Sequence, residues 1–232
     1  MSFGNKICVY TVSTGSYESL PDQSVSSDEG IPFICFSDKK EDNQKTWNVV
    51  NLKKIFMKDD IRDQRRVKIL TNEFLKEFDI SIYIDKGIIL KKKPEDIIRE
   101  INLESGICLP WHSHRKTLKD EFDAVKKEKL DDPNRVSEQL DHYKILFPDE
   151  LNKKPLWSAI MIRDNRNKKI SEAMNIWYSH VLRYSRRDQL SLSISLNMAG
   201  VSPNIMKIDN FSSHYHSWIN ISDRKKTSRH WS

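Results

Sequence analysis

The sequence predicts an α/β fold, on three observations. Short β-branched runs alternate with segments whose apolar residues recur at helical spacing, the pattern of strands joined by crossover helices. One run, ISIYI over 80–84, is almost continuously apolar, as a strand covered on both faces must be. Two of the strand-like runs end on an aspartate, Asp38 and Asp85.

Taken in order, KICVYTVS (6–13) predicts a first strand bounded by Gly15. IPFICFS (31–37) predicts a second, ending at Asp38, and TWNVVNL (46–52) a third. Over 60–78, Val67, Ile69/Leu70, Phe74 and Phe78 fall near helical spacing and predict one helix. The central strand 80–85 follows. Leu118, Phe122, Val125 and Leu130 mark a helix over about 115–130. A second covers 134–146, with Pro148 helping to end it. KPLWSAIMIRDN (154–165) holds another strand, and Ile170, Met174, Trp177 and Val181 place a helix over 170–184. DQLSLSISLN (188–197) is ambiguous: its period-two alternation favours a strand, yet Leu190, Ile194 and Met198 share one helical face. Periodicity alone tips the balance to the strand.

A chain of 232 residues is expected to form one domain over 1–222, followed by a polar, basic tail at 223–232. The net charge is +6, but 39 basic residues are interleaved with 33 acidic ones. That pattern fits a soluble surface with local phosphate sites, and no basic stripe or motif points to a nucleic-acid partner. Cys8, Cys35 and Cys108 sit in apolar runs without metal-like spacing and are expected to be buried thiols. There is no signal-like leader and no run of about 18 apolar residues, so a cytoplasmic protein without a membrane span is expected.

In open α/β sheets ligands collect at the carboxyl ends of strands, which here carry Thr11–Gly15, Asp38 and Asp85. Each aspartate is either a turn residue or part of a crevice. A carboxylate closing a long apolar strand can anchor a hard divalent cation beside a phosphate. In DDIRDQRRVKIL (59–70), Arg62, Arg65 or Arg66, and Lys68 recur at helical offsets, either as a solvated face or as cations along that crevice. His214 and His216 lie on one side of an extended segment, a weak metal-ligand signal that WHSHR (111–115) repeats. Arg187, Asp188 and Gln189 form the other dense polar cluster, fitting either a reacting centre or a helix cap.

Eight stretches occur together in order: YTVSTGSYESLPDQ (10–23), IPFICFSD (31–38), DDIRDQRRVKIL (59–70), SIYID (81–85), HSHRKTLKDE (112–121), QLDHY (139–143), MIRDN (161–165) and SRRDQLS (185–191). In this the chain resembles a GT-A-type glycosyltransferase family that includes plant cell-wall-related, bacterial and viral polysaccharide glycosyltransferase-like proteins. The resemblance implies a GT-A-like, Rossmann-like nucleotide-binding mixed sheet flanked by helices. It implies that Thr11, Gly15, Tyr17 and Asp38 face a nucleotide and that Arg62, Arg65 and Lys68 form its cationic segment. Asp85 matches the acidic strand-end position, with His214 or His216 as a further ligand to Mn²⁺ or Mg²⁺. His112, Arg115 and Glu121 match a second motif. Arg187, Asp188 and Gln189 match a third, which also tilts 188–197 towards helix. One departure is plain: the family's Asp-Gly-Asn reads Asp85-Lys86-Gly87 here, placing a cation where a second metal ligand would fall.

The implied activity is transfer of a sugar from a nucleoside-diphosphate donor, UDP- or GDP-linked, to a glycan or glycoconjugate. Asp188 or Glu121 would serve as base if the reaction inverts, with Arg187 beside them. The alternatives are a catalytically silent sugar-nucleotide or glycan-binding module and, further off, a nucleic-acid-binding domain.

Overall fold

A computed structural model of the chain describes residues 5–15, 20–39 and 44–218. Tyr17 and the tail 223–232 lie outside the described residues, as does the end of the expected 1–222 domain.

The expected early strands form: β1 (Ile7–Ser13), β2 (Phe33–Ser37) and β3 (Asn48–Asn51). The segment expected as one helix breaks into α1 (Asp60–Ile69) and α2 (Thr71–Phe74). No glycine or proline causes the break. The carbonyls of Lys68 and Ile69 are claimed by the buried guanidinium of Arg163, at 2.8 and 3.0 Å, and Tyr10 Oη also donates to Lys68 O at 2.6 Å. Carbonyls a helix end leaves unpaired are thus satisfied across the core. The central strand β4 (Ile80–Ile84) follows, then β5 (Ile88–Leu90), α3 (Pro94–Glu100) and β6 (Ile107–Pro110).

Helix α4 (Leu118–Lys127) opens on a reciprocal cap between Thr117 and Asp120. Helix α5 (Pro133–Leu146) ends at Phe147, and Pro148 then takes the first position of a short α6 (Pro148–Leu151). Strand β7 (Ile160–Asp164) and α7 (Lys168–Arg183) come next.

The ambiguous segment is helical: a 3₁₀ turn (Asp188–Leu190) and then α8 (Leu192–Met198). The strand expectation fails because two of the alternating serines, Ser191 and Ser195, are buried yet satisfied within the helical segment itself. Ser195 Oγ donates to Ser191 O at 2.8 Å and Ser191 Oγ to Asp188 O at 3.3 Å. Two short strands, β8 (Asn204–Met206) and β9 (His216–Trp218), complete the described chain.

The main sheet has the order β3-β2-β1-β4-β7-β6-β8, and a small second sheet pairs β5 with β9. All neighbours in the main sheet are parallel except those of β7, which runs antiparallel to both β4 and β6. Alternate residues of β1 serve opposite faces. Cys8, Tyr10 and Val12 pack with α1, α7 and α8, while Ile7 and Val9 pack with β5, α3 and Trp157. A third cluster joins α4, α5 and α6 to Leu190 and Ile194. The three cysteines are free and buried. Among the described residues no helix is long and apolar enough to cross a membrane.

The chain leaves β1 towards β2 and β3 on one side and returns to β4 on the other. The strand order therefore reverses between β1 and β4, and a crevice opens outside their carboxyl ends.

Candidate functional site

Two pairs of residues mark that crevice. At the ends of β1 and β2, the Gly15 N–H donates to both carboxylate oxygens of Asp38, at 3.2 and 3.3 Å. Gly15 has φ +73°, a left-handed conformation that costs glycine nothing and other residues a steric penalty. Across the reversal itself, Lys86 Nζ donates to Ser13 Oγ at 3.0 Å, tying the end of β4 to the end of β1. Thr11 lies one step deeper than expected: it is inside β1, fully buried, and its hydroxyl has no hydrogen-bond partner among the described residues.

A charged cluster sits behind Asp85. Lys68, on α1 and almost completely buried, places Nζ 2.7 Å from Asp188 Oδ2, 2.9 Å from Ser158 Oγ and 3.7 Å from Asp85 Oδ1. The ammonium also lies 4.9 Å from the ring centroid of Tyr83. Arg65, one turn earlier, brings Nε to 3.0 Å from Asp188 Oδ1. Tyr83 Oη donates to Asp85 Oδ1 at 2.6 Å and itself receives a hydrogen bond from Gln64.

These contacts set the protonation states. Burial would raise the Asp188 carboxyl, but Arg65, Lys68 and Arg187 together hold it well below the usual carboxylate range. Burial works against the charge of Arg65, and Asp188 and Asp85 more than offset it. Burial and the Asp85 charge push the Tyr83 phenol far up, so it remains a donor. Asp188 is therefore a fixed anion that orients two cations, an environment opposed to a base that must accept a proton.

The remaining expected residues divide. Arg62 turns away from Lys68: it pairs with Asp59 and donates to the carbonyls of Val181 and Tyr184 at the end of α7. It caps a helix and is not part of the cationic cluster. Arg187 weighs electrostatically on both Asp188 and Glu121, and so links the two motifs. Gln189 is half-buried beside it. Arg115 Nε donates to Glu121 Oε2 at 2.9 Å. Burial raises the Glu121 carboxyl against the pull of Arg187 and Arg115. His112 Nδ1 accepts the His114 N–H at 3.1 Å, and burial with nearby Arg115, His114 and Lys154 lowers this imidazole to about 4. It is neutral at pH 7, with its hydrogen on Nε2.

The expected metal set is not assembled. Among the described residues no group of three or more His, Cys, Asp or Glu side chains could hold an ion. Asp85 Oδ1 is already engaged by a phenol and faces an ammonium. His216 is buried, with Nδ1 against Ser213 Oγ at 2.9 Å and Nε2 against Asn210 O at 3.1 Å. His214 packs on the Tyr215 ring, centroids 3.9 Å apart. As placed, Asp85, His214 and His216 do not form a donor set for Mn²⁺ or Mg²⁺: His216 is buried at the start of β9, while His214 lies exposed before it.

Sequence reasoning missed Ser158 and Tyr83 as members of this site. Lys86 entered as a departure from the family pattern, a cation that could itself neutralise phosphate. Ser158 carried no signal, because its role depends on the segment 155–159 running between the carboxyl ends of β6 and β4.

A switch-point crevice lined by cations, on a mixed sheet flanked by helices, defines a GT-A-like α/β domain. Residues 24–217 match the family model of the TOD1/MUCI70 glycosyltransferase-like domain, and the chain belongs to that family. Among solved structures, mouse xyloside xylosyltransferase 1 in its apo form aligns with a TM-score of 0.50 at 9% identity, over 86% of this chain and 84% of that one. The apo WbbM bifunctional glycosyltransferase gives 0.49 at 10% identity, over 88% of this chain and 39% of the other. The mannosyltransferase Ktr4p from S. cerevisiae gives 0.45 at 13%, over 82% and 66%. The likeness to the xylosyltransferase is one of fold and agrees with the expected GT-A-like arrangement. A comparison with curated proteins finds no match.

Proposed function

We propose that this domain transfers a hexosyl or related sugar from a UDP- or GDP-linked donor to a glycan or glycoconjugate acceptor. The observation that carries the reading is the cationic surround of the switch point. Arg65, Lys68, Lys86 and Arg187 gather there around Asp85 and Asp188. Glycosyl transfer breaks the bond between the anomeric carbon and the diphosphate, so negative charge grows on the departing phosphate oxygen. Fixed positive charge in a partly dry site lowers that barrier. Arg65 and Lys86 are the groups best suited to do so, Arg65 being held by Asp188 and Lys86 by Ser13. Gly15 and Asp38 would border the nucleoside. If the reaction inverts, a base must take the acceptor's proton. Glu121, with its raised carboxyl, suits that role better than the clamped Asp188.

The test is a thermal-shift panel of UDP, GDP and their sugars. Ligand at about 100 times its dissociation constant stabilises by roughly 2.7 kcal/mol. In a domain of this size that raises Tm by about 5–11 °C. If no nucleotide at millimolar concentration moves Tm, the reading fails. The clamped Asp188 favours a second reading, a module that binds the sugar nucleotide without transferring it. Slow hydrolysis of the donor separates transferase from binder.

A further inference from the structure

Three rings on two neighbouring loops stand in solvent. Trp111 is 38% exposed, Phe211 is 43% exposed and His114 is exposed. His114 and Phe211 lie with centroids 5.0 Å apart, and Phe211 lies 6.2 Å from the half-buried Trp218. Exposed rings usually sit on mobile loops, but these do not. Buried Asn210 accepts the Ser113 N–H at 2.6 Å, donates through Nδ2 to Trp111 O at 2.9 Å, and donates its own N–H to Ser113 Oγ at 2.9 Å. The Trp218 N–H donates to Phe211 O at 2.8 Å. Two loops, after β6 and after β8, are thus locked into one surface.

That surface is joined to the proposed donor crevice by five consecutive residues. Pro155 O accepts the His112 N–H, Leu156 bridges Trp111, and the Trp157 N–H donates to Pro110 O. Ser158 bonds Lys68 and Asp188, and Ala159 O accepts the Asp85 N–H. Since a chain advances at most about 3.5 Å per residue, the backbone from Pro155 beside the loops to Ala159 beside Asp85 spans at most roughly 14 Å. That is the span of a short oligosaccharide.

We propose that Trp111, His114 and Phe211 form the subsite on which a pyranose ring of the acceptor glycan stacks. The inference rests on the transferase reading above and adds where the acceptor binds. A pyranose presents a flat C–H face to an aromatic ring and hydroxyls at its rim. Here the rings carry polar neighbours that suit those hydroxyls: His112 Nε2–H, His114 and Lys154. Pre-ordered rings bind at little cost in conformational entropy. A purely apolar partner would leave those polar groups unpaired.

The test uses the full chain and short oligosaccharides of xylose, mannose, galactose and galacturonic acid as probes, read by NMR of the indole N–H signals. Trp111→Phe assigns the Trp111 signal. At least one probe should shift it, and Phe211→Ala should weaken that binding about tenfold. The same variant should leave UDP or GDP binding and Tm within error of the parent. A nucleotide shift in Tm with no probe perturbing Trp111 overturns the subsite while leaving the transferase reading standing. Probe binding that Phe211→Ala does not weaken also overturns it. A dimer in sedimentation that Trp111→Ala dissociates would show the rings covered by a second copy, and would likewise overturn it. If no nucleotide binds but a probe does, the subsite stands and the donor reading falls.

Discussion

Lys68→Met tests whether the buried cation organises the site. Methionine keeps the length and apolar stem of lysine and removes only the ammonium. The loss strips Asp188 of its 2.7 Å partner, Ser158 of a donor and Asp85 of its nearest cation. Removing one partner of a buried ion pair costs about 3–5 kcal/mol. Arg65 stays on Asp188 at 3.0 Å, so the lower end, about 3 kcal/mol, applies here. For a 232-residue domain that is a fall in Tm of roughly 6–12 °C. Denaturant melts at pH 7 and at acid pH then check the cause. The folded-state Asp188 carboxyl is depressed below its ordinary 3.8, so its stabilisation is present above that value and lost as pH falls towards the folded value. The deficit of Lys68→Met should therefore be full at pH 7, hold to about pH 4 and shrink below it. Combined with Asp188→Asn, the two losses should fall short of their sum by about 1–3 kcal/mol. A Tm within about 2 °C of the parent, or strict additivity with Asp188→Asn, would refute the reasoning.

Three further outcomes are expected. His112 is depressed from 6.5 to about 4, so it contributes stability above pH 6.5 that is lost as pH falls towards 4. His112→Asn should flatten the Tm–pH curve in that window, and an unchanged curve would place the acid loss elsewhere. Lys86→Met should weaken nucleoside-diphosphate binding by about 10- to 100-fold in calorimetry, the worth of one charge-assisted hydrogen bond. Arg163→Leu leaves the Ile69 carbonyl at the end of α1 without its donor, while Lys68 O keeps Tyr10 Oη, and should cost about 1–3 kcal/mol by denaturant titration.

Much of the scaffold was legible in the sequence. Strands β1, β2, β3 and β4 announce themselves by β-branched runs, and α4, α5 and α7 by helical spacing, because local pattern and tertiary burial agree there. Asp38 and Asp85 at strand ends, and Lys68 and Asp188 as site members, could also be named from position and family pattern. Where the reading failed, hydrogen bonds that spacing alone does not reveal decided. Arg163 stops α1 from across the sheet, and side-chain hydrogen bonds on the helix itself let buried serines persist in α8. Arg62 and Arg65 are equivalent by sequence, one turn apart on one helix. Only the packing of α7 and of the 3₁₀ turn sends one to carbonyls and the other to a carboxylate. His216 looked like a ligand, and its role became plain only once β9 paired with β5 and buried both ring nitrogens against neighbours. Local pattern is carried by a few adjacent residues and survives in one dimension. Charge pairing depends on which residues the fold brings within about 4 Å, and here Asp188 finds its partners 120 and 123 positions away along the chain.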